Sequence, residues 1–257
     1  MHLSERLRKI ISLIPLEAGV VDVGTDHAAV PIALAKLNPC RRIIGVEYND
    51  RPLRYAVNKV AAAGMEAVIE IRHGYGLDCV LPGEVEVAVI AGLGSATIIE
   101  ILRKGDRVAR SLSRLVLGPM DYPYKLREYL LLHGYSILSE ELVYEYRWYE
   151  ILVAAPQDVM GALLRPVQNQ AGLVMQLEEA YRRKLADAAD LDFQTQLELL
   201  PILSVDRDTA VNYLRSRRDG INRVLNNMPD VPGTRMRREQ LADKLNVIGR
   251  VIDQLCR

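Results

Sequence analysis

The run Asp22-Val23-Gly24-Thr25-Asp26-His27 closes a short apolar segment that begins at Val20, and a second segment, Ile43-Ile44-Gly45-Val46, closes on Glu47. An acid at the end of a second strand can accept two hydrogen bonds from a ribose diol, each worth roughly 1.5–3 kcal/mol net when charge-assisted. Glycine after a first strand lets a ligand approach the backbone, because no Cβ stands in the way. Together they make a nucleoside-binding pattern. A dinucleotide site would want Gly-x-Gly-x-x-Gly, which seats a pyrophosphate on a helix N-terminus. Here Gly24 stands alone and Asp26 would repel a diphosphate. S-adenosylmethionine carries a sulfonium cation and no phosphate, so Asp22 and Asp26 favour it over a nicotinamide cofactor. The competing reading makes these two acids caps of the following helix and Glu47 an ordinary exposed loop acid.

Such residues work together only if strand ends gather them. Val20–Gly24, Ile43–Glu47, Ala67–Arg72, Val85–Ala91 and Arg114–Leu117 read as strands. Helical patterns separate them over Pro31–Leu37, Arg51–Ala63 and Ser95–Lys104, and another follows over Pro123–His133. Leu3, Leu7, Ile10, Ile11 and Ile14 stripe one face of a helix ahead of them. Tyr135–Val143 and Trp148–Ala155 read as a closing antiparallel pair. This alternation predicts an α/β, doubly wound (Rossmann-like) sheet, with ligands at the carboxyl ends of its strands. After Pro156 the strand pattern stops. Val167–Leu191 and Asp208–Met228 read as helices, and Leu241, Leu245, Ile248, Ile252 and Leu255 stripe a third. The expected organisation is a sheet domain over 1–157 and an α-helical appendage, a hairpin or small bundle, over 158–257.

Composition narrows the classes. The 257 residues are 49% hydrophobic and 26% charged, ordinary for a globular chain. The 33 basic and 33 acidic residues cancel, so nucleic-acid binding has to come from a local patch. One Phe, one Trp and twelve Tyr are too few for an extended base-stacking platform. Cys40, Cys79 and Cys256 are distant and odd in number, which fits a reducing, cytoplasmic setting. The four histidines lack ligand spacing, so no metal is expected. No apolar run reaches the roughly 18 residues of a membrane span. The segment Tyr213–Arg238 holds Arg215, Arg217, Arg218, Arg223, Arg235, Arg237 and Arg238 against Asp219 and Asp230. It reads either as a phosphate-binding face or as a solvated helix surface.

The blocks Leu3-Ser4-Glu5-Arg6-Leu7, Asp22 to Pro31, Gly74-Tyr75-Gly76-Leu77, Ile90-Ala91-Gly92-Leu93-Gly94 and Tyr149 to Ala154 resemble, in order and spacing, the bacterial tRNA (adenine-22, N1)-methyltransferase family (TrmK type). Leu200-Pro201-Ile202-Leu203 is similar to the start of that family's helical pair, with about 30 extra residues, roughly Val167–Leu197, ahead of it. The resemblance implies a class I methyltransferase domain, S-adenosylmethionine as donor, and tRNA as acceptor through N1 of an adenine in the D-arm. The residues expected at the cofactor are Asp22, Gly24, Thr25, Glu47, Tyr48, Gly74, Tyr75, Gly76, Ala91, Gly92 and Leu93. Asp26 and His27 are the expected catalytic pair, Asp26 for the proton or the charge of the product ring and His27 to orient the base. Gly118, Pro119 and Met120 are expected at the target base, and Arg215, Arg218 and Arg223 on tRNA phosphates.

Three positions depart from the family pattern. Tyr75 replaces an acid and can stack on the cofactor's adenine. Ser95 replaces a glycine. Gly118-Pro119-Met120 replaces Gln-Pro-Asn, with the loss of two amides. Two further readings follow from these changes: a divergent paralogue that binds RNA without turnover, and a small-molecule methyltransferase.

Overall fold

The computed structural model describes residues 3–39, 41–184 and 192–256. Strands β1 (Val20–Val23), β2 (Ile43–Glu47), β3 (Ile69–His73), β4 (Val87–Ala91) and β5 (Arg114–Gly118) pair in parallel. The hairpin β6 (Ser136–Tyr144) and β7 (Trp148–Ala155) joins antiparallel through β7, giving the order β3-β2-β1-β4-β5-β7-β6. β1 and β2 are buried at every residue, which explains their lack of polar alternation.

Side chains from successive strand residues enter two different cores. Val21, Ile44, Ala88 and Ile90 pack with Ile98 and Leu102 of α4 (Ser95–Lys104) and Leu126 and Leu130 of α6 (Pro123–Leu132). Val20, Ile43, Val87 and Val89 pack with Ile10 of α1 (Glu5–Ser12), Leu34 of α2 (Ala29–Leu37) and Val60 of α3 (Asp50–Ala62). The two-residue period of a strand thus assigns each face of the sheet its own helix layer. A short helix that the sequence pattern does not indicate, α5 (Asp106–Ser111), follows α4; at six residues it is too short to show a period. The chain leaves β1 towards β2 and later returns to β4 on the other side. The carboxyl ends of β1 and β4 therefore flank a topological switch point.

The chain forms two compact units, Met1–Asn169 and Gln170–Arg257. The boundary drawn from the sequence, 157/158, falls inside the first. There Leu164 exchanges backbone hydrogen bonds with Ile137, and the Val167 amide donates to the Leu131 carbonyl. The second unit holds α7 (Gln170–Lys184), α8 (Phe193–Leu199), a 3-10 turn over Leu200–Leu203, α9 (Arg207–Asn227) and α10 (Pro232–Leu255). The last residues of the helix expected over Val167–Leu191, and Cys40, lie outside the described residues. Asp192 caps α8 by accepting from the Thr195 amide, and Asp206 caps α9 by accepting from the Thr209 amide. Buried Glu198 ties three helices, taking Arg217 of α9 at 2.8 Å and Lys244 of α10. No helix among the described residues is long and apolar enough to cross a membrane.

Candidate active site

A cavity of about 510 Å³ opens at the carboxyl ends of β1, β2 and β4. Its floor begins with the turn after β1. The Gly24 and Thr25 amides both donate to the Val46 carbonyl, which holds the turn against β2. Gly24 has φ +73°, a left-handed conformation that costs glycine little. Asp26 at +46° and Ala28 at +52° are left-handed without that freedom. Such residues cost about 1–3 kcal/mol each and cluster at functional sites. Ala28 is the N-cap of α2 and makes no side-chain capping bond. Asp22 and Asp26 therefore do not cap that helix.

Asp22 and Glu47 are both buried at the cavity wall. Glu47 accepts from the Tyr48 amide at 3.0 Å and the Asn49 amide at 3.2 Å on one oxygen, and from the Asp26 amide at 3.2 Å on the other. A carboxylate has about four acceptor sites, so room remains for ligand hydroxyls. Asp22 accepts from the Thr25 hydroxyl at 2.7 Å. Burial pushes its pKa up to about 6, the Thr25 bond opposes this, and neighbouring Glu47 adds to it. Two acids held this close in a desolvated wall call for a ligand that brings both a cation and hydroxyl donors. The residues present fit the ribose and the positive groups of S-adenosylmethionine.

Asp26 and His27 stand at the rim, exposed, with His27 Nε2 3.3 Å from Asp26 Oδ2 and its ring edge-on to Tyr55 at 4.5 Å. Ala91, Gly92, Leu93 and Met120 form the opposite side. The loop that carries Met120 is fixed by three bonds. The Met120 amide donates to the Leu93 carbonyl at 2.9 Å. The Ser95 amide donates to Asp121 Oδ1 at 2.8 Å, and the Ser95 hydroxyl to the Asp121 carbonyl at 2.5 Å. Tyr122, in the same loop, is left-handed at φ +36°. Ser95, which replaces a glycine of the family pattern, thus ties the loop after β5 to the start of α4.

Of the residues expected at the site, Asp22, Gly24, Thr25, Asp26, His27, Glu47, Ala91, Gly92, Leu93 and Met120 share the cavity wall. Tyr48, Gly74, Tyr75, Gly76, Gly118 and Pro119 are not part of it. The Tyr75 ring lies under the Lys104 ammonium at 4.8 Å and edge-on to Tyr48 at 5.5 Å. Burial and a hydrogen bond with Glu100 raise its pKa. Gly74 and Gly76 serve packing: a Cβ would meet Cys79 Sγ at 2.6 Å and Ile101 Cγ2 at 2.9 Å, respectively. Gly118 allows a similar approach to Ala91. Arg215, Arg218 and Arg223 belong to the second unit. Sequence reasoning did not assign to the site Arg6, Leu7, Ala29, Val30, Asn49 and Pro52, which complete the wall. The available signals were the Leu3–Leu7 block for Arg6 and adjacency to Glu47 for Asn49.

A family model described as a methyltransferase domain matches residues 3–152. The chain is 33% identical over 159 residues to the tRNA (adenine(22)-N(1))-methyltransferase of Bacillus subtilis (strain 168), covering 62% of this chain and 67% of that one. It resembles the crystal structure of the B. subtilis tRNA methyltransferase TrmK at 25% identity and TM-score 0.71, over 98% of this chain and 99% of that one. It also resembles Sp1610 of Streptococcus pneumoniae in complex with S-adenosyl-L-methionine, at 26% identity and TM-score 0.70, over 98% and 100% of the two chains.

Proposed function

The chain belongs to the tRNA (adenine-22, N1)-methyltransferase family of S-adenosylmethionine-dependent enzymes, and on that premise we propose that it methylates N1 of adenine 22 in the D-arm of tRNA. The observation that carries the reading is the pair of buried carboxylates, Asp22 and Glu47, on one cavity with Asp26 and His27 at its rim.

Bound S-adenosylmethionine supplies an electrophilic methyl group on a sulfonium. Glu47 accepts from the ribose diol, and Asp22 faces the positive charge. Leu93 and Met120 give the base an apolar edge and exclude water there. Neutral adenine N1 has a lone pair and needs no base to attack. The methylated ring is cationic until its exocyclic amine loses a proton, and Asp26 Oδ is the acceptor, with His27 holding that carboxylate from one side. Extracting the base from its stack costs a few kcal/mol, and the arginines of α9 contribute backbone contacts towards that cost.

The test is incubation with unmodified tRNA and methyl-labelled cofactor, followed by nucleoside mass spectrometry. The expected product is 1-methyladenosine at position 22. Asp26→Asn should lower kcat by roughly 100-fold or more, in the range of general acid–base groups, with a much smaller loss of cofactor affinity. Binding of tRNA without any methylated nucleoside would support the paralogue without turnover. Label found only in a small-molecule acceptor would support the third reading.

A further inference from the structure

Arg6 lines the cavity next to Met120, yet the pattern at the strand ends assigns it no role. Its guanidinium donates from Nη1 to Met120 Sδ at 3.4 Å, and thioether sulfur is a weak acceptor. Its Nε is buried and has no hydrogen-bond partner among the described residues. A second arginine shares this arrangement. Arg147, at the exposed turn between β6 and β7, donates to the same sulfur at 3.4 Å. Both guanidiniums lie on the Tyr149 ring, 4.8 Å and 4.7 Å from its centroid. Two cations are thus held on one buried ring and one sulfur. The nearby acid, Glu145, accepts from the Arg6 backbone amide at 2.8 Å and from the Ser4 side chain, and the Arg6 charge acts on it as well, so it offsets that charge only in part. Arginine donors spent on a weak sulfur acceptor, with one Nε unpartnered, suit exchange for a planar or tetrahedral oxyanion.

We infer that Arg6 and Arg147 clamp a backbone phosphate of the RNA strand beside the target base. This inference rests on the proposed methyl transfer to tRNA. Arg6 stands inside the cavity mouth and Arg147 outside it, so a chain leaving the cavity would pass both. A carboxylate of the cofactor, held within the wall, would meet Arg6 alone. Exposed rings flank the same exit. Tyr146, 75% exposed, stands edge-on to Tyr149 at 5.6 Å, and Tyr122, 60% exposed, follows Met120 by two positions. Aromatic faces beside a phosphate-holding cation are what an unstacked strand uses.

The test uses the full-length protein with Arg147→Gln, Arg6→Gln and the Lys variant at each position. Transfer-RNA affinity is measured across a salt series, together with kcat and KM for tRNA and calorimetry with S-adenosylmethionine. Each Gln variant should flatten the slope of log affinity against log salt in part, and the double Gln variant by roughly 0.7–0.9, the loss of one phosphate. Each should raise KM about tenfold with kcat nearly unchanged, and each Lys variant should recover most of the loss. Exposed Arg147 carries the test if Arg6→Gln lowers the melting temperature. Unchanged slope and KM in Arg147→Gln would overturn the clamp. So would weakened cofactor binding with intact tRNA affinity in Arg6→Gln, which would move Arg6 to the cofactor carboxylate. If wild type binds tRNA but transfers no methyl, while the variants still flatten the slope, the clamp stands and the proposed reaction fails.

Discussion

Asp22 carries two opposed duties. Its folded pKa, about 6, lies above its ordinary value of 3.8, because burial disfavours the carboxylate. Below about pH 4 it is protonated in both folded and unfolded chains. Between there and pH 6 the unfolded chain sheds the proton first, so stability falls as pH rises, and the full cost stands above pH 6. Asp22→Asn should therefore stabilise the free protein at neutral pH, on the order of 3 kcal/mol, and by less below pH 4. The same substitution should weaken binding of cationic S-adenosylmethionine, because a ligand cation favours the ionised acid. Wild-type affinity should rise from pH 5 to 7.5 as Asp22 ionises, and the variant's should stay flat. Calorimetry and thermal melts at both pH values check this, and parallel pH profiles would refute it. Asp22, Gly24, Asp26 and Glu47 were legible as candidates in the sequence because each lies at or just past the carboxyl end of a strand that local pattern alone reveals. Arg6 was not. Its contacts with Met120 and Tyr149 exist only once α1 packs beside the sheet, and no local spacing encodes them.

Between elements, the join of α6 to the hairpin depends on a buried ion cluster. Arg127 of α6, fully buried, reaches Glu140 of β6 at 2.7 and 2.8 Å and Glu150 of β7 at 2.5 Å. The two carboxylates hold the guanidinium charged well above its ordinary range, against the penalty of burial, while burial pushes the Glu140 carboxyl up. Breaking such a cluster costs more than the cluster contributes, because charge is left behind without water. Arg127→Met should destabilise by about 3–5 kcal/mol. Adding Glu140→Leu and Glu150→Leu to Arg127→Met removes the stranded charges as well and should recover most of that loss. Urea midpoints at constant slope measure both; a single variant within about 1 kcal/mol of wild type would refute the account. Strands and long helices were readable from period and apolar runs. α5 and α8 were not, because six or seven residues do not complete two turns of pattern. The end of the first unit was missed for a different reason: Leu164 is held by a backbone bridge to Ile137, which side-chain pattern does not record.

At the scale of the whole chain, zero net charge conceals a local excess in α9 and the start of α10. Structure divides the seven arginines of Tyr213–Arg238. Arg217 is committed to Glu198 and the Tyr213 hydroxyl, and Arg238 donates to the carbonyls of Leu225 and Met228, closing the turn between the two helices. These two hold the fold. Arg215 and Arg223 are exposed, and Arg218 is partly exposed, 3.9 Å from Asp219 across solvent. An exposed pair at that distance contributes little, so a phosphate can take Arg218 from it. The triple variant Arg215→Gln, Arg218→Gln, Arg223→Gln should keep its melting temperature within a few degrees. It should bind tRNA more weakly, with the salt slope flattened by about 0.7–0.9 for each phosphate that the variant no longer neutralises. The weakening should be similar for tRNAs of different sequence, since phosphate contacts carry no base information. Cofactor affinity should not move, because Asp22 and Glu47 lie in the first unit. Arg217→Gln separates the two roles. It should lower the melting temperature by taking one of the two cations from buried Glu198, and leave the salt slope of the surviving folded protein near wild type. A triple variant with wild-type affinity and slope would make these arginines a solvated face, and RNA contact would then rest on Arg6 and Arg147 alone.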